Sequence, residues 1–304
     1  VLQVESVTKT YGGRAVLSQV SFGVGSGRIT GFVGANGAGK TTTMRIILGV
    51  LSADAGRVTL DGTTLAAGDR SSFGYMPEER GLYPKMKVAE QITYFGRLHG
   101  MSARDASAST AGLLERLELA SRANDTVDSL SLGNQQRAQI AAALVHRPTV
   151  LVLDEPFSGL DPLGVDSVLT VLKDAAADGA PVLFSSHQLD LVERLCDDLV
   201  IIANGEIRAS GSRDELRAQH GRDRYELLVD ADLSWLRSVP GVSVVEFAGV
   251  DPTGVGLAGG HALFETADPA IAQDVLTRAI SAGSVLTFAP QHPSLAQIFR
   301  EVIQ

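Results

Sequence analysis

GANGAGKTT, residues 34–42, constrains this chain more than any other stretch. It fits the pattern G-x-x-x-x-G-K-[ST] and lies between an apolar run, ITGFVG at 29–34, and a helically spaced one, TTTMRIILGVL at 41–51. A strand running through a glycine-rich turn into a helix is the context of a phosphate-binding loop. Gly34, Gly37 and Gly39 let the backbone curl so that its N–H groups face an anion, with Asn36 and Thr42 in the same cradle. The helix that follows points its positive end at that anion. On this reading Lys40 reaches the β- and γ-phosphates and Thr41 ligates Mg2+.

A second segment completes the chemistry. VLVLDEP, 150–156, is a buried-type strand ending in two carboxylates. Adjacent carboxylates repel unless a cation is near. Asp154 is therefore expected to hold Mg2+, directly or through water, and Glu155 to polarise an attacking water. A solvated helix start is the plainer alternative for the pair. PVLFSSH, 181–187, ends in His187. Ligands bind beyond the carboxyl ends of parallel strands, so His187 is expected to contact a γ-phosphate rather than serve only as a structural residue.

The remaining pattern organises these motifs. Short strands are expected at 1–7, 20–24, 57–62 and 73–76, then helices from Val88 to His146. Strand and helix alternate again to a hairpin around Asn204–Gly205. The expected fold is an α/β P-loop NTPase spanning 1–215, with a helical insert at about 88–146. SRDELRAQHGRDR, 212–224, reads as a polar boundary that is flexible at Gly221. Beyond it the segments YELLVD, LSWLRSV, VSVVEF, ALFETA, AIAQDVLTRAIS and SVLTFA give β-α-β-β-α-β, a small α+β ferredoxin-like domain at 222–304, with a last helix at LAQIFREVI.

Composition narrows the partners. The net charge is −9, without a basic tail, and residues 222–304 carry five arginines against ten acids. That balance argues against nucleic acid as the main partner. No run of 18 uncharged apolar residues occurs, so a membrane span is not expected. Cys196 is the single cysteine, which fits a reducing compartment. No basic-then-apolar leader pattern is present, and with Val1 as the first residue an initiator methionine or short leader ahead of it is the expectation.

Over residues 1 to about 215 the chain resembles the ATP-binding subunits of ABC transporters. Further segments carry the resemblance. LSLGNQQR at 130–137 is similar to the signature loop, whose usual form is LSGGQQ. SGLD at 158–161 matches the loop after the catalytic glutamate, and His187 matches the switch histidine. Tyr11 matches the aromatic that stacks on adenine. In FGYMPEE, Glu78 stands where the family usually has glutamine, and so becomes a candidate for Mg2+ or the attacking water. An amide both donates and accepts, whereas an ionised carboxylate only accepts.

The resemblance implies a head-to-tail dimer. Each ATP would lie between one copy's phosphate loop and the other's Ser131, Gly133 and Asn134, with the backbone of Leu132 and a helix start at Asn134. Leu132 replaces the usual glycine and Asn134 the usual glutamine, while Lys40, Asp154, Glu155 and His187 are all in place, so an active site is expected. PEERGLYPKM at 77–86 and the closing PSLAQIFREVI look like the ABC-2-type export subgroup. That implies ATP hydrolysis driving export through separate transmembrane permease subunits, with the chain peripheral on the cytoplasmic face of a bacterial membrane. Leu82 and Tyr83, flanked by Arg80, Lys85 and Lys87, would form a docking rim for the permease. The competing readings are an ABC-type ATPase of translation or DNA maintenance, and a regulator that binds nucleotide without hydrolysing it.

Overall fold

Chain order in the computed structural model, which describes residues 1–79, 81–220, 224–248, 260–291, 297–299 and 302, starts with a hairpin. Its strands β1 (Leu2–Tyr11) and β2 (Arg14–Val24) turn at Gly12–Gly13. Both run longer than the sequence pattern predicts, because irregular pairings between Val4 and Thr10 interrupt the alternation. β3 (Ile29–Val33) leads into α1 (Lys40–Ile47), followed by β4 (Ala55–Leu60), β5 (Thr63–Thr64) and β6 (Phe73–Met76). Three helices come next, α2 (Val88–Leu98), α3 (Ala103–Arg116) and α4 (Leu132–Leu144). β7 (Val150–Leu153), α5 (Pro162–Ala177), β8 (Val182–Ser186), α6 (Leu189–Leu195), β9 (Asp198–Ala203) and β10 (Glu206–Ser212) complete the first of two units, Val1–Arg213.

The runs ITGFV, VLVL and VLFSS lack polar alternation because these strands are buried on both faces. They form the middle of a six-stranded sheet of order β10-β9-β3-β8-β7-β6. From β9 to β6 every pairing is parallel, and β10 closes one edge antiparallel to β9. A second, antiparallel sheet has the order β2-β1-β4-β5. Phe22, Phe32, Met44, Ile47, Val152, Leu183 and Ile202 belong to one buried cluster that joins the two sheets and α1. Burying each such side chain is worth about 1.5–3 kcal/mol. α5 packs on β3 and β8 and α6 on β3, while α2, α3 and α4 pack on one another. Parallel direction has one consequence for chemistry. The carboxyl ends of β3, β6, β7 and β8 all open on the same edge of the sheet, at Gly34, Pro77, Asp154 and His187.

The second unit begins at Asp214. α7 (Arg213–His220) occupies much of the stretch that reads as a flexible boundary. The segment is amphipathic: Asp214 and Glu215 stand in its first turn and Leu216 is buried. Gly221 lies outside the described residues. β11 (Arg224–Val229), β12 (Val242–Ala248), β13 (Gly260–Thr266), α8 (Pro269–Ala282) and β14 (Val285–Gln291) follow. Their sheet is antiparallel with order β12-β13-β11-β14. Numbered within the unit this is 2-3-1-4, the strand order of a ferredoxin-like sheet. LSWLRSV departs from the expected helix and forms only a 3-10 turn, Ser234–Ser238, whose Leu236 reaches the core. Of LAQIFREVI, residues 297–299 and 302 are helical, and the rest lie outside the described residues.

Candidate functional site

The phosphate loop is built by close approach. A Cβ on Gly34 would stand 2.5 Å from the Ile202 carbonyl oxygen of β9, so only glycine lets the chain leave β3 here. Gly39 sits at φ 111°, in the left-handed region, and serves as the N-cap of α1. Lys40 opens that helix and is 93% buried, with 7% of its surface exposed. Its Nζ donates to the carbonyls of Gly34 at 2.6 Å and Ala35 at 3.3 Å. The ammonium thus ties the loop's two ends and keeps a third proton for a ligand. Val16, Asn36, Gly37, Gly39, Lys40, Thr41, Thr42, Glu78, Asp154 and Glu155 line one cleft of about 290 Å3.

The carboxylates enter from β7. Thr41 Oγ1 donates to Asp154 Oδ2 at 2.9 Å, and Ser185 Oγ donates to Asp154 Oδ1 at 2.5 Å. Asp154 is 1% exposed, so its charge depends on these donors and on any cation the cleft receives. A hydroxyl and a carboxylate oxygen side by side are the hard oxygen donors that Mg2+ takes alongside phosphate and water. Glu155 follows at φ 52°, a left-handed conformation rare outside glycine. Its N–H donates to Ser185 Oγ and its carbonyl accepts from Gln136 Nε2, each at 2.9 Å. His187 Nδ1 lies 2.9 Å from Glu155 Oε1. With Glu155 ionised, Nδ1 carries the proton and donates it.

Burial pushes the Glu155 carboxyl above the usual carboxylate range. The His187 hydrogen bond and the charges of His187 and Lys40 pull it back, and Asp154 pushes it up. The folded chain therefore binds this proton more tightly than the unfolded chain. The resulting stability is complete below the unfolded pKa and is lost as pH rises through the folded one. Glu155→Gln removes the charge and is expected to raise Tm at about pH 8, with the gain shrinking as pH falls towards about 4. Calorimetric scans at the two pH values measure this. An unchanged Tm at about pH 8 would contradict the strained, buried carboxylate described above.

Ser131, Gly133 and Asn134 do not line this cleft. α4 opens at Leu132, two residues before the expected Asn134, because Ser131 caps it: the Ser131 hydroxyl accepts the Asn134 N–H at 3.3 Å. That hydroxyl keeps its own proton to donate. The Asn134 side chain turns inward, its Oδ1 accepting from Arg137 Nη2 at 2.7 Å. A Cβ on Gly133 would lie 3.1 Å from the Gly159 carbonyl oxygen, so the LSLGN and SGLD loops pack tightly on each other. Leu132 is 56% exposed beside them. Tyr11, at the end of β1, is also exposed and outside the cleft, with Lys9 Nζ 5.6 Å from its ring centroid.

The loop at 77–86 is pinned from behind. Tyr83 N–H donates to Gln91 Oε1 at 2.8 Å, and Gln91 Nε2 donates to the Tyr83 carbonyl at 3.0 Å. Lys85 is bonded to Asp128, and Arg80 lies outside the described residues. Leu82 lines a separate, mainly apolar cleft of about 310 Å3 with Phe73, Met76, Pro77 and Phe95. Three neighbours of the site receive no role from the motifs, namely Val16, Ser185 within PVLFSSH and Gln136 within LSLGNQQR. Ser185 could be noticed as a hydroxyl in an otherwise apolar run. Gln136 and Gln139 could be noticed as two amides three residues apart on the buried face of α4.

Known proteins resemble this chain along its length. Residues 17–158 match the family model described as ABC transporter. Residues 211–303 match "ATP-binding protein DrrA1-3-like, C-terminal domain". The chain is 36% identical over 303 residues to "Uncharacterized ABC transporter ATP-binding protein YhaQ" of Bacillus subtilis, covering 100% of this chain and 98% of that protein. It is 38% identical over 243 residues to "Nod factor export ATP-binding protein I" of Ralstonia nicotianae, covering 79% and 75%. A solved "ATP binding subunit of ABC transporter" superposes with a TM-score of 0.68 at 33% identity, covering 73% of this chain and 93% of that one.

Proposed function

The chain belongs to the ATP-binding, ATP-hydrolysing subunits of ABC transporters, and on that footing we propose that it hydrolyses MgATP between two copies to drive export through separate membrane subunits. The observation that carries the chemistry is the convergence of Lys40, Thr41, Asp154 and Glu155 on one cleft. Among the described residues no helix is long and apolar enough to cross a membrane; the permease is assigned from membership of the ABC transporter family. The direction is assigned by likeness to a relative named for Nod factor export.

Phosphoryl transfer needs positioning and charge stabilisation more than covalent chemistry. Loop N–H groups and the N-terminus of α1 receive the phosphates, and Lys40 turns its remaining proton to their oxygens. Thr41 and Asp154 would hold Mg2+, with Glu78 at the rim of the cleft as a further oxygen donor. Held there, the metal would supply positive charge to the phosphates. Glu155 orients water and takes its proton, and its raised affinity for a proton suits that task. His187 holds the Glu155 carboxylate through Nδ1 and keeps its other ring nitrogen for a γ-phosphate oxygen.

The cleft has no donor from the signature loop of its own chain. Ser131, with a free hydroxyl proton at the end of a helix, suits the γ-phosphate of a second copy's nucleotide. The apolar cleft at Leu82, with the exposed Tyr83 next to Leu82 in the chain, is assigned to the permease. Phosphate release by the full chain tests the chemistry. The rate is expected to fall to background when EDTA replaces Mg2+, by about 100-fold or more. Release undiminished in EDTA would overturn the roles of Thr41 and Asp154.

A further inference from the structure

Glu155 is held by its backbone as firmly as by its side chain. At φ 52° it occupies a conformation that relaxes unless its surroundings fix it. Ser185 of β8 takes its N–H, and β8 is the neighbour of β7 in the same sheet. Gln136 takes its carbonyl from a different part of the unit, the helix α4. The Gln136 side chain is buried on a helix face otherwise made of Ala138, Ile140, Ala141, Ala143 and Leu144, with Gln139 beside it. A polar group in such a place is costly unless its hydrogen bonds are made. Its bond to the Glu155 carbonyl therefore resists displacement of either partner.

We propose that Gln136 is a positioning residue for hydrolysis: its amide fixes the Glu155 carbonyl, and with it the place of the Glu155 carboxylate over the phosphate loop. The proposal rests on the reading of Glu155 as the group that orients water. It adds a physical link between two loops. Ser131, the N-cap of α4, lies five residues before Gln136 on the same helix. The loop suited to a second copy's nucleotide and the amide that holds this copy's Glu155 thus share one rigid element. Displacing α4 moves the Glu155 backbone unless the Gln136 bond breaks.

Gln136→Met in the full chain keeps the side-chain length and removes the donor. Its kcat for ATP is expected to fall about 10-fold or more while KM stays within about two-fold, the pattern of an interaction that acts on the chemical step. Gln139→Met, on the same buried face, is the control and is expected to keep both kcat and KM within about two-fold of the wild type. If the Met variant does not fold, Gln136→Asn, which draws the amide back by one methylene, is expected to show the same split. A folded Gln136 variant with unchanged kcat overturns the proposal, and so does an equal loss in Gln139→Met. A wild-type chain no faster than Glu155→Gln would instead overturn the reading of Glu155 itself.

Discussion

Glu155→Gln is expected to bind MgATP as tightly as the wild type and to hydrolyse it about 100- to 10,000-fold more slowly. The substitution is nearly isosteric. The amide oxygen still accepts from His187 Nδ1, and the backbone bonds to Ser185 and Gln136 do not involve the side chain. What is lost is the acceptor for a water proton. Lys40, Thr41 and the loop N–H groups are untouched, so ground-state binding stays the same and the loss falls on kcat. The same variant carries a thermal signature, because a carboxylate ionised against its burial is replaced by a neutral group. Inactivity from misfolding would lower Tm, whereas the expected outcome is a slower enzyme that melts higher. Phosphate release and equilibrium nucleotide binding on one preparation separate the two. A rate within about three-fold of wild type would remove Glu155 from the chemical step.

Much of this site is legible as sequence because each part is a local rule. A glycine where a Cβ would meet a carbonyl oxygen at 2.5 Å, a lysine at the first helical position and a carboxylate after an apolar strand each stand inside a short recognisable motif. The parallel run of strands then brings separate motifs to one edge with no further information needed. Clamps that reach across the fold are harder to read. Ser185 serves Asp154 from a neighbouring strand, and Gln136 reaches Glu155 from a helix 19 positions earlier. Neither contact has a local pattern; only an out-of-place polar residue on an apolar face hints at it. The fold shows the same division. Strongly apolar strands stand where their pattern puts them. α7 escapes notice because one buried leucine, Leu216, anchors an otherwise charged helix. LSWLRSV has helical spacing, but its short span closes only as a 3-10 turn.

The second large effect concerns the shared site. Lys40→Met removes a buried ammonium that bonds the carbonyls of Gly34 and Ala35 at the start of its own loop, so the nucleotide loses a charge and the loop loses its tie. Affinity for ATP is expected to fall about 100-fold, in line with the loss of one charge-assisted hydrogen bond worth up to about 3 kcal/mol. Ser131→Arg leaves that loop intact. It takes away the N-cap of α4 and puts a bulky side chain where a second copy's γ-phosphate would meet the helix. Each variant alone is expected to be inactive, for opposite reasons. The first lacks a functional phosphate loop at both sites of its dimer, the second a functional signature loop at both.

Mixing the two variants tests directly whether one ATP is held by two copies. In a head-to-tail mixed dimer one site carries both defects and the other carries neither. Random association of equal amounts places half of the dimers in the mixed form, so about a quarter of wild-type phosphate release is expected to return. Activity that stays at the sum of the two separate variants, with mixed dimers verified by differential tagging, would contradict the shared site.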